Sequence, residues 1–352
     1  MLCKVWGVGM FSIVALTTSN ILLTLRLMHG REEVGVGGGC GGVVIPDAVP
    51  HSWTSALSST NHTEYLAFLR SAAINTDSAA GAENDEGAQD AGVVMGAGFV
   101  VDEVMGRWDG RRRYKTHDHV FTGPQYPKLS RVAPVCLATQ SSVDRLFWLT
   151  QVARYWRAPM SVAVFTPDVE YAIARAYLTY LVACFPFLGE KVTFHFTYPR
   201  EHLPKDLTLT IDHLEDKCDQ PLSVLKGLLK QRSAKMLAWR ERMPYPQNVL
   251  RNVARKNCAT EWVFLADVDI IPIPGLSDGL AQFLFSNAAT KCKKCAFVVP
   301  TYEVDERSPL PHNRSTLLHL AGKGRARPFH QKVFVHNQHA TNFSRWEARE
   351  QE

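Results

Sequence analysis

The chain has 352 residues, 46% apolar and 21% charged, a globular composition with room for one sizeable domain plus appendages or two small ones. Its 39 basic residues exceed its 34 acidic ones by a formal charge of +5, and they are scattered except at Arg111, Arg112 and Arg113. That asymmetry is too weak to support a nucleic-acid partner.

Residues 1–4 read as a short tail carrying Lys4, and Val5 to Leu25 has no charged residue over 21 positions. About 20 apolar residues cross a bilayer as a helix, so residues 5–25 read as a signal anchor, diluted by Thr17, Thr18, Ser19, Asn20 and Thr24. A cleaved signal peptide is the alternative, but no small-x-small cleavage site follows an apolar core of the usual length. Asn-x-Ser/Thr acceptors at Asn61, Asn313 and Asn342 favour a lumenal body behind the anchor, with glycans at those positions. In that oxidising compartment the six cysteines from Cys136 onward are disulfide candidates. Cys292 and Cys295 have the spacing of half a zinc ribbon; with no second pair, a disulfide or buried thiols is the better reading.

Residues 26–130 change character. Gly35 to Gly42 is nearly all glycine, Ser71 to Gly98 is rich in Ala, Gly, Asp and Glu, and the only periodicity is a possible short helix around Tyr65 to Ser71. Such a segment buries too little apolar surface to offset its ordering entropy, so a flexible stem is expected, with Arg111 to Arg113 as a solvated run at its end. The glycine run neither follows a strand nor opens a helix, which argues against a phosphate loop.

The globular domain is expected over residues 131–352. Val132 to Thr139 reads as a strand, Ser142 to Arg157 as a helix, Ser161 to Phe165 as a strand, Glu170 to Phe185 as a helix and Val192 to Tyr198 as a strand. That alternation predicts an α/β fold with a mostly parallel sheet and right-handed crossovers. Leu222 to Trp239 is a helical candidate that Pro244-Tyr245-Pro246 ends, and Gln247 to Asn257 is a further helix. Trp262 to Ala266 is an apolar run expected to be a strand buried on both faces. Ala296 to Thr301 is a last short strand, and Tyr302 to Glu352 reads as loop.

At the end of the Trp262–Ala266 strand stand Asp267 and Asp269. A strand's period of two puts them on one face, roughly 6–7 Å apart and closer if the backbone turns there. In open α/β sheets ligands collect beyond the carboxyl ends of strands, where two carboxylates can hold a cation and through it a phosphate. The plain alternative is one capping Asp and one solvated Asp. The apolar strand before them and Ile270, Ile271 and Ile273 behind make unpaired carboxylates costly and favour the metal.

The run YPQNVLRNVARKNCATEWVFLADVDIIPIPG, residues 245–275, resembles the signature region of the LARGE-related Golgi glucuronyltransferases, glycosyltransferase family 49. SSVDRLFWLTQVARYWRAPMSVAVF, FVVPTYEV and ATNFSRW follow the same pattern in the same order, so the resemblance covers about Arg131 to Trp346. It implies a type II protein of the Golgi membrane with a lumenal GT-A domain, which takes a sugar from a UDP donor with Mn²⁺. It further implies UDP-glucuronate as donor, a xylose-terminated O-mannosyl glycan of α-dystroglycan as acceptor, and association with LARGE-type transferases. Transfer of N-acetylglucosamine in poly-N-acetyllactosamine synthesis, or a catalytically weak Golgi partner, are the alternatives.

Asp267 and Asp269 match the family's metal motif, with Val268 between them, and Arg251 and Asn252 match positions near the donor nucleotide. Arg251 is expected either to clamp a phosphate or uronate, or to pair with Glu261 or Asp267. Thr139 and Ser141 end the first strand, beside base and ribose or as capping hydroxyls for the next helix. Glu303 is a candidate to deprotonate an acceptor hydroxyl, against the alternative of a surface carboxylate. Trp346 stacks on a sugar or packs in the core. Family members continue past the Asn-x-Ser-Arg-Trp stretch with a histidine that completes the metal shell. Here six residues follow Trp346, and His330, His336 and His339 do not stand in that ligand's context, so a C-terminally shortened form is expected.

Overall fold

The computed structural model describes residues 2–6, 106–205, 207, 209, 211, 217–286, 289, 295–333 and 341–348. The expected short helix near Tyr65, the glycine run, Asn61, Cys292, His336 and His339 lie outside these residues. Leu2–Trp6 is a strand, β1, so the first two residues of the expected membrane span, Val5 and Trp6, are extended. Residues 7–25 lie outside the described ones, and among the described residues no helix is long and apolar enough to cross a membrane. The chain divides into two compact units, one drawn from residues 45–294 and the other from 1–44 with 295–352.

The larger unit is built on a six-stranded sheet. Its strands are β2 (Arg107–Trp108), β3 (Tyr114–Thr122), β4 (Val135–Ser142), β5 (Met160–Phe165), β6 (Val192–Pro199) and β7 (Trp262–Leu265), in the order β2-β3-β6-β5-β4-β7. β4, β5, β6 and β7 run parallel, with Leu137 opposite Met160, Met160 opposite Val192 and Val135 opposite Trp262. Every residue of β4, β5 and β6 is buried, the pattern of strands covered on both faces. Between β4 and β5 runs α1 (Trp148–Tyr155), and between β5 and β6 runs α2 (Glu170–Cys184). The expected parallel α/β sheet is present.

Several boundaries differ from the sequence-based expectation. The sheet begins within the expected stem: β2 and β3 form a hairpin whose longer strand pairs antiparallel with β6. The composition of β3, YKTHDHVFT, hides a strand that buries Tyr114, Thr116 and His117. Arg111 to Arg113 are exposed in the hairpin turn, where the Asp109 carboxylate accepts the backbone N–H groups of Arg111, Arg113 and Tyr114 at 3.2, 2.6 and 2.7 Å. After β4 the chain makes one 3₁₀ turn, Val143–Arg145, so α1 starts later than Ser142. The single helix expected over Leu222–Trp239 is two, α3 (Pro221–Leu229) and α4 (Ala234–Arg242), separated where the Ser233 hydroxyl caps α4 by accepting Met236 N–H at 3.2 Å. α5 (Gln247–Lys256) then leads to β7.

β7 is not buried on both faces. It is the last strand of the sheet, bonded to β4 on one side, and Leu265 is 46% exposed. An unbroken apolar run does not distinguish a central strand from an edge strand, because that depends on which strands pair, a non-local matter. Among the described residues two disulfides brace the unit. Cys136 of β4 joins Cys258 ahead of β7, and Cys184 at the end of α2 joins Cys218. Cys295 is also disulfide-bonded, so it is not a zinc thiolate.

In the smaller unit the strand expected over Ala296–Thr301 lies further on, as β9 (Thr301–Asp305), once β8 (Ile270–Pro272) of the larger unit is counted. β9 pairs parallel with β1 and antiparallel with β10 (Ala326–Pro328). The expected loop after residue 302 also contains the helices Arg314–Gly322 and Phe343–Ala348. Its hydrophobic centre is Tyr302, Val304, Leu317 and Trp346; Tyr302 donates to Glu347 Oε1 at 2.6 Å, and Arg314 donates to Trp346 O at 2.7 Å while lying over its ring. Trp346 is therefore a packing residue, 3% exposed.

Candidate active site

With three strands ordered β6-β5-β4 and β7 added on the far side of β4, the direction of strand progression reverses between β4 and β7. Crevices at such switch points, beyond the carboxyl ends of the strands, are where α/β sheets bind nucleotides. The carboxyl end of β4 brings Gln140 to Ser142, and that of β7 brings Asp267 and Asp269.

The aspartates sit in a turn rather than along a strand. Ile270 N–H donates to Asp267 O at 3.0 Å, closing the turn before β8. Val268 between them is buried, and Asp269 is 8% exposed. α5 supplies the opposite wall. Its Leu250, Val253 and Ala254 pack on Ala138, Ala163 and Phe165, which fixes the helix on the sheet. Gln247 and Arg251, one helical turn apart, both reach Asp267 Oδ1, at 3.5 and 2.7 Å, and Gln140 from β4 donates to the same oxygen at 3.4 Å. Tyr245 in turn donates to Gln140 Oε1. Arg145, from the 3₁₀ turn after β4, donates to Asp269 Oδ2 at 3.3 Å. Of the two readings of Arg251, the structure contains the pair with Asp267.

A second ionic cluster adjoins this one. Asp144 accepts from Arg232 at 3.3 Å and Arg240 at 3.1 Å, and Glu170 forms ion pairs with the same two arginines at 2.7 and 3.3 Å. Burial pushes the Glu170 carboxyl up to about 6, even with Arg240 and Arg232 beside it. Burial would raise Asp144 as well, but Arg240 and Arg232 hold it below the usual carboxylate range. Arg240 also lies 5.6 Å over the Phe165 ring, which meets Tyr245 edge-on at 5.9 Å. Gln140, Asp144, Arg145, Arg232, Arg240, Tyr245 and Gln247 were not singled out from sequence. Four of them lie within the family-like stretches around Asp144 and Arg251, and that was the available signal.

Thr139 and Ser141 are buried within β4, on the face opposite Gln140 by the strand's alternation. Neither caps a helix: Ser141 donates to Ser142 O at 2.7 Å, and the buried Thr139 hydroxyl makes no hydrogen bond among the described residues. Asn252 is on the exposed side of α5. Glu303 is inside β9 instead of beyond a strand end; it accepts from Arg327 Nε at 2.7 Å and from His330 N at 3.4 Å, tying β9 to β10. Asn313 and Asn342 are exposed; Asn313 Oδ1 caps a helix through Thr316 N at 2.8 Å, and Asn342 Oδ1 accepts Arg345 N at 3.2 Å.

The family described as "Glycosyl-transferase for dystroglycan", glycosyltransferase family 49, matches residues 134–352. The chain belongs to this family. It is 30% identical over 216 residues to β-1,4-glucuronyltransferase 1 of Bos taurus and to that of Homo sapiens, covering 60% of this chain and 51% of either relative. It is 29% identical over 231 residues to the human xylosyl- and glucuronyltransferase LARGE2, covering 65% of this chain and 26% of that protein. The chain thus spans about half the length of the β-1,4-glucuronyltransferases it matches.

Asp267 and Asp269 supply oxygen donors of the kind a hard divalent cation takes, in the turn beyond the carboxyl end of β7. Among the described residues no group of three or more His, Cys, Asp or Glu forms a complete protein cage. The pair fits a cation that takes its other ligands from a diphosphate and water, as Mg²⁺- and Mn²⁺-type sites do.

Proposed function

We propose that the chain is a cation-dependent glucuronyltransferase that takes glucuronic acid from UDP-glucuronate and transfers it to a xylose-terminated O-mannosyl glycan of α-dystroglycan. The observation that carries this reading is the Asp267–Asp269 turn at the β4/β7 switch point, faced by Arg145, Gln140 and Arg251. Glucuronyl transfer is common to the names of both kinds of relative, which supports glucuronate as the donor sugar. Bound Mn²⁺ would neutralise the charge that develops on the UDP leaving group. Asp267 and Asp269 would hold that cation, and Arg145 and Arg251, as forked donors, suit phosphate or uronate oxygens. Gln140, held by Tyr245, orients the Asp267 carboxylate.

Asn313 and Asn342, exposed Asn-x-Ser/Thr acceptors, and the disulfides Cys136–Cys258 and Cys184–Cys218 fit an oxidising lumen, as expected for a type II Golgi membrane protein. Association with LARGE-type transferases belongs to the same reading.

The test uses the full chain. UDP binding is measured by calorimetry with Mn²⁺ and with chelator, for the wild type and Asp267→Asn; then UDP-glucuronate, UDP-xylose and UDP-N-acetylglucosamine are offered with a xylose-terminated acceptor. Mn²⁺-dependent UDP binding that Asp267→Asn loses, followed by transfer from UDP-glucuronate, is expected. Transfer only from another donor, or UDP binding indifferent to Mn²⁺, would refute the reading.

A further inference from the structure

The arginines around the two crevice clusters fall into two kinds. Arg232 and Arg240 have side chains only 10 and 19% exposed, and each is shared between Asp144 and the fully buried Glu170. Two carboxylates hold each of them, so they are fixed parts of the frame. Arg145 and Arg251 have side chains 56 and 33% exposed, and among the described residues each reaches a single aspartate oxygen, Asp269 Oδ2 at 3.3 Å and Asp267 Oδ1 at 2.7 Å. A guanidinium carries five N–H donors, so a one-point contact leaves most of its donor fork for another anion.

Charge then constrains what these two arginines do. As they stand, the Asp267 and Asp269 carboxylates, −2, are balanced by Arg145 and Arg251, +2. A divalent cation on the aspartates would do the same balancing, leaving two guanidiniums at the crevice mouth with +2 and no counter-charge. The diphosphate of a UDP-sugar carries −2. Counted over these four groups, the charge is zero with neither ligand and zero with both, and is in excess with one.

We infer that Arg145 and Arg251 are exchange ligands: they occupy Asp269 and Asp267 until a divalent cation replaces them there, and then bind the donor's diphosphate oxygens. The inference rests on the proposed cation and UDP site. Its consequence is thermodynamic coupling. The arginines compete with the cation for the carboxylates, which weakens cation binding alone, and the cation releases them for the diphosphate, which strengthens nucleotide binding. Linkage makes the effect reciprocal, so UDP must tighten the cation by the same factor. Arg145, not singled out from sequence, thereby becomes a binding residue for the diphosphate.

The test measures free Mn²⁺ by electron paramagnetic resonance during titration of the full chain, with and without UDP, for the wild type, Arg145→Gln/Arg251→Gln and Arg145→Lys/Arg251→Lys. In the wild type, UDP is expected to tighten Mn²⁺ by more than about tenfold. Removing two half-exposed competing ion pairs should tighten Mn²⁺ alone by roughly fivefold in the glutamine variant. In that variant the UDP enhancement should fall to about threefold or less, with the lysine variant retaining more of it because it keeps both charges. A merely damaged fold weakens both ligands, so tighter Mn²⁺ combined with weaker UDP is a signature that damage does not produce. An unchanged UDP enhancement in the glutamine variant, or Mn²⁺ alone binding no tighter, overturns the exchange. Wild-type protein in which Mn²⁺ and UDP do not affect one another overturns the proposed donor site itself.

Discussion

His195 lies fully buried in β6, where it connects the sheet to α5, the helix that carries Arg251. The Ser161 hydroxyl spends its single proton on Ala254 O of α5 at 2.8 Å, so its oxygen accepts from His195 Nε2 at 3.0 Å. His195 Nδ1 then accepts the His119 N–H at 2.9 Å. Both ring nitrogens are satisfied in the neutral tautomer, and a second ring proton would point at a donor. Burial, with His119 and Arg107 nearby and only Asp118 opposing, lowers the pKa from 6.5 to about 3. The native state thus keeps a neutral ring that the unfolded chain protonates below about 6.5. Stability from this group is complete above that pH and is lost as pH falls toward 3. At 1.36 kcal/mol per pKa unit, the loss is about 2 kcal/mol at pH 5 and approaches about 5 kcal/mol by pH 3.

The assay is urea unfolding followed by tryptophan fluorescence at pH 7 and pH 5, for the wild type and His195→Gln. The variant is expected to be less stable at pH 7 but to lose about 2 kcal/mol less than the wild type between the two pH values. Equal losses would refute the assigned tautomer and its depressed pKa. Imidazole carbon shifts of His195 that titrate near 6.5 would refute it independently.

Leu250→Ala removes a fully buried side chain between α5 and the sheet and should cost about 2–5 kcal/mol; because α5 also positions Arg251 and Gln247, Mn²⁺-dependent UDP binding should weaken in the surviving folded fraction. Replacing Cys136 and Cys258 by alanine opens a loop with a sequence separation of 122 and should lower unfolding stability by about 4–5 kcal/mol, against a smaller loss for the Cys184–Cys218 pair, whose separation is 34. Gly123→Ala would bring its Cβ within 2.1 Å of Gly189 O and 2.4 Å of Glu190 O; a backbone shift is required, and a loss of about 3 kcal/mol in thermal or chemical unfolding is expected.

Local pattern carried much of the fold. The apolar runs of β4, β5 and β6 and the helix of Glu170–Cys184 are regular enough that periodicity finds them within a few residues. β3 escaped because its His, Lys, Asp and Thr side chains look solvated until Tyr198, Thr197 and His195 of β6 provide partners for His117, Thr116 and the His119 backbone. Glu303 was expected beyond a strand because the apolar Ala296–Val299 run is the more strand-like sequence, yet the strand that pairs with β1 and β10 starts at Thr301.

The sequence by itself determined the parallel α/β class, the two aspartates at the end of an apolar strand, and membership of the family whose pattern surrounds them. These depend on residue type at short spacing, which a linear reading contains. Only the tertiary structure decided that β7 is an edge strand beside β4, that Cys136 pairs with Cys258, and that Arg251 and Arg145 balance Asp267 and Asp269. Each of those joins residues between 16 and 127 positions apart, as Arg251 to Asp267 and Val135 of β4 to Trp262 of β7 show. Such pairs are set by strand order and helix docking, whose energies come from burial across the whole sheet.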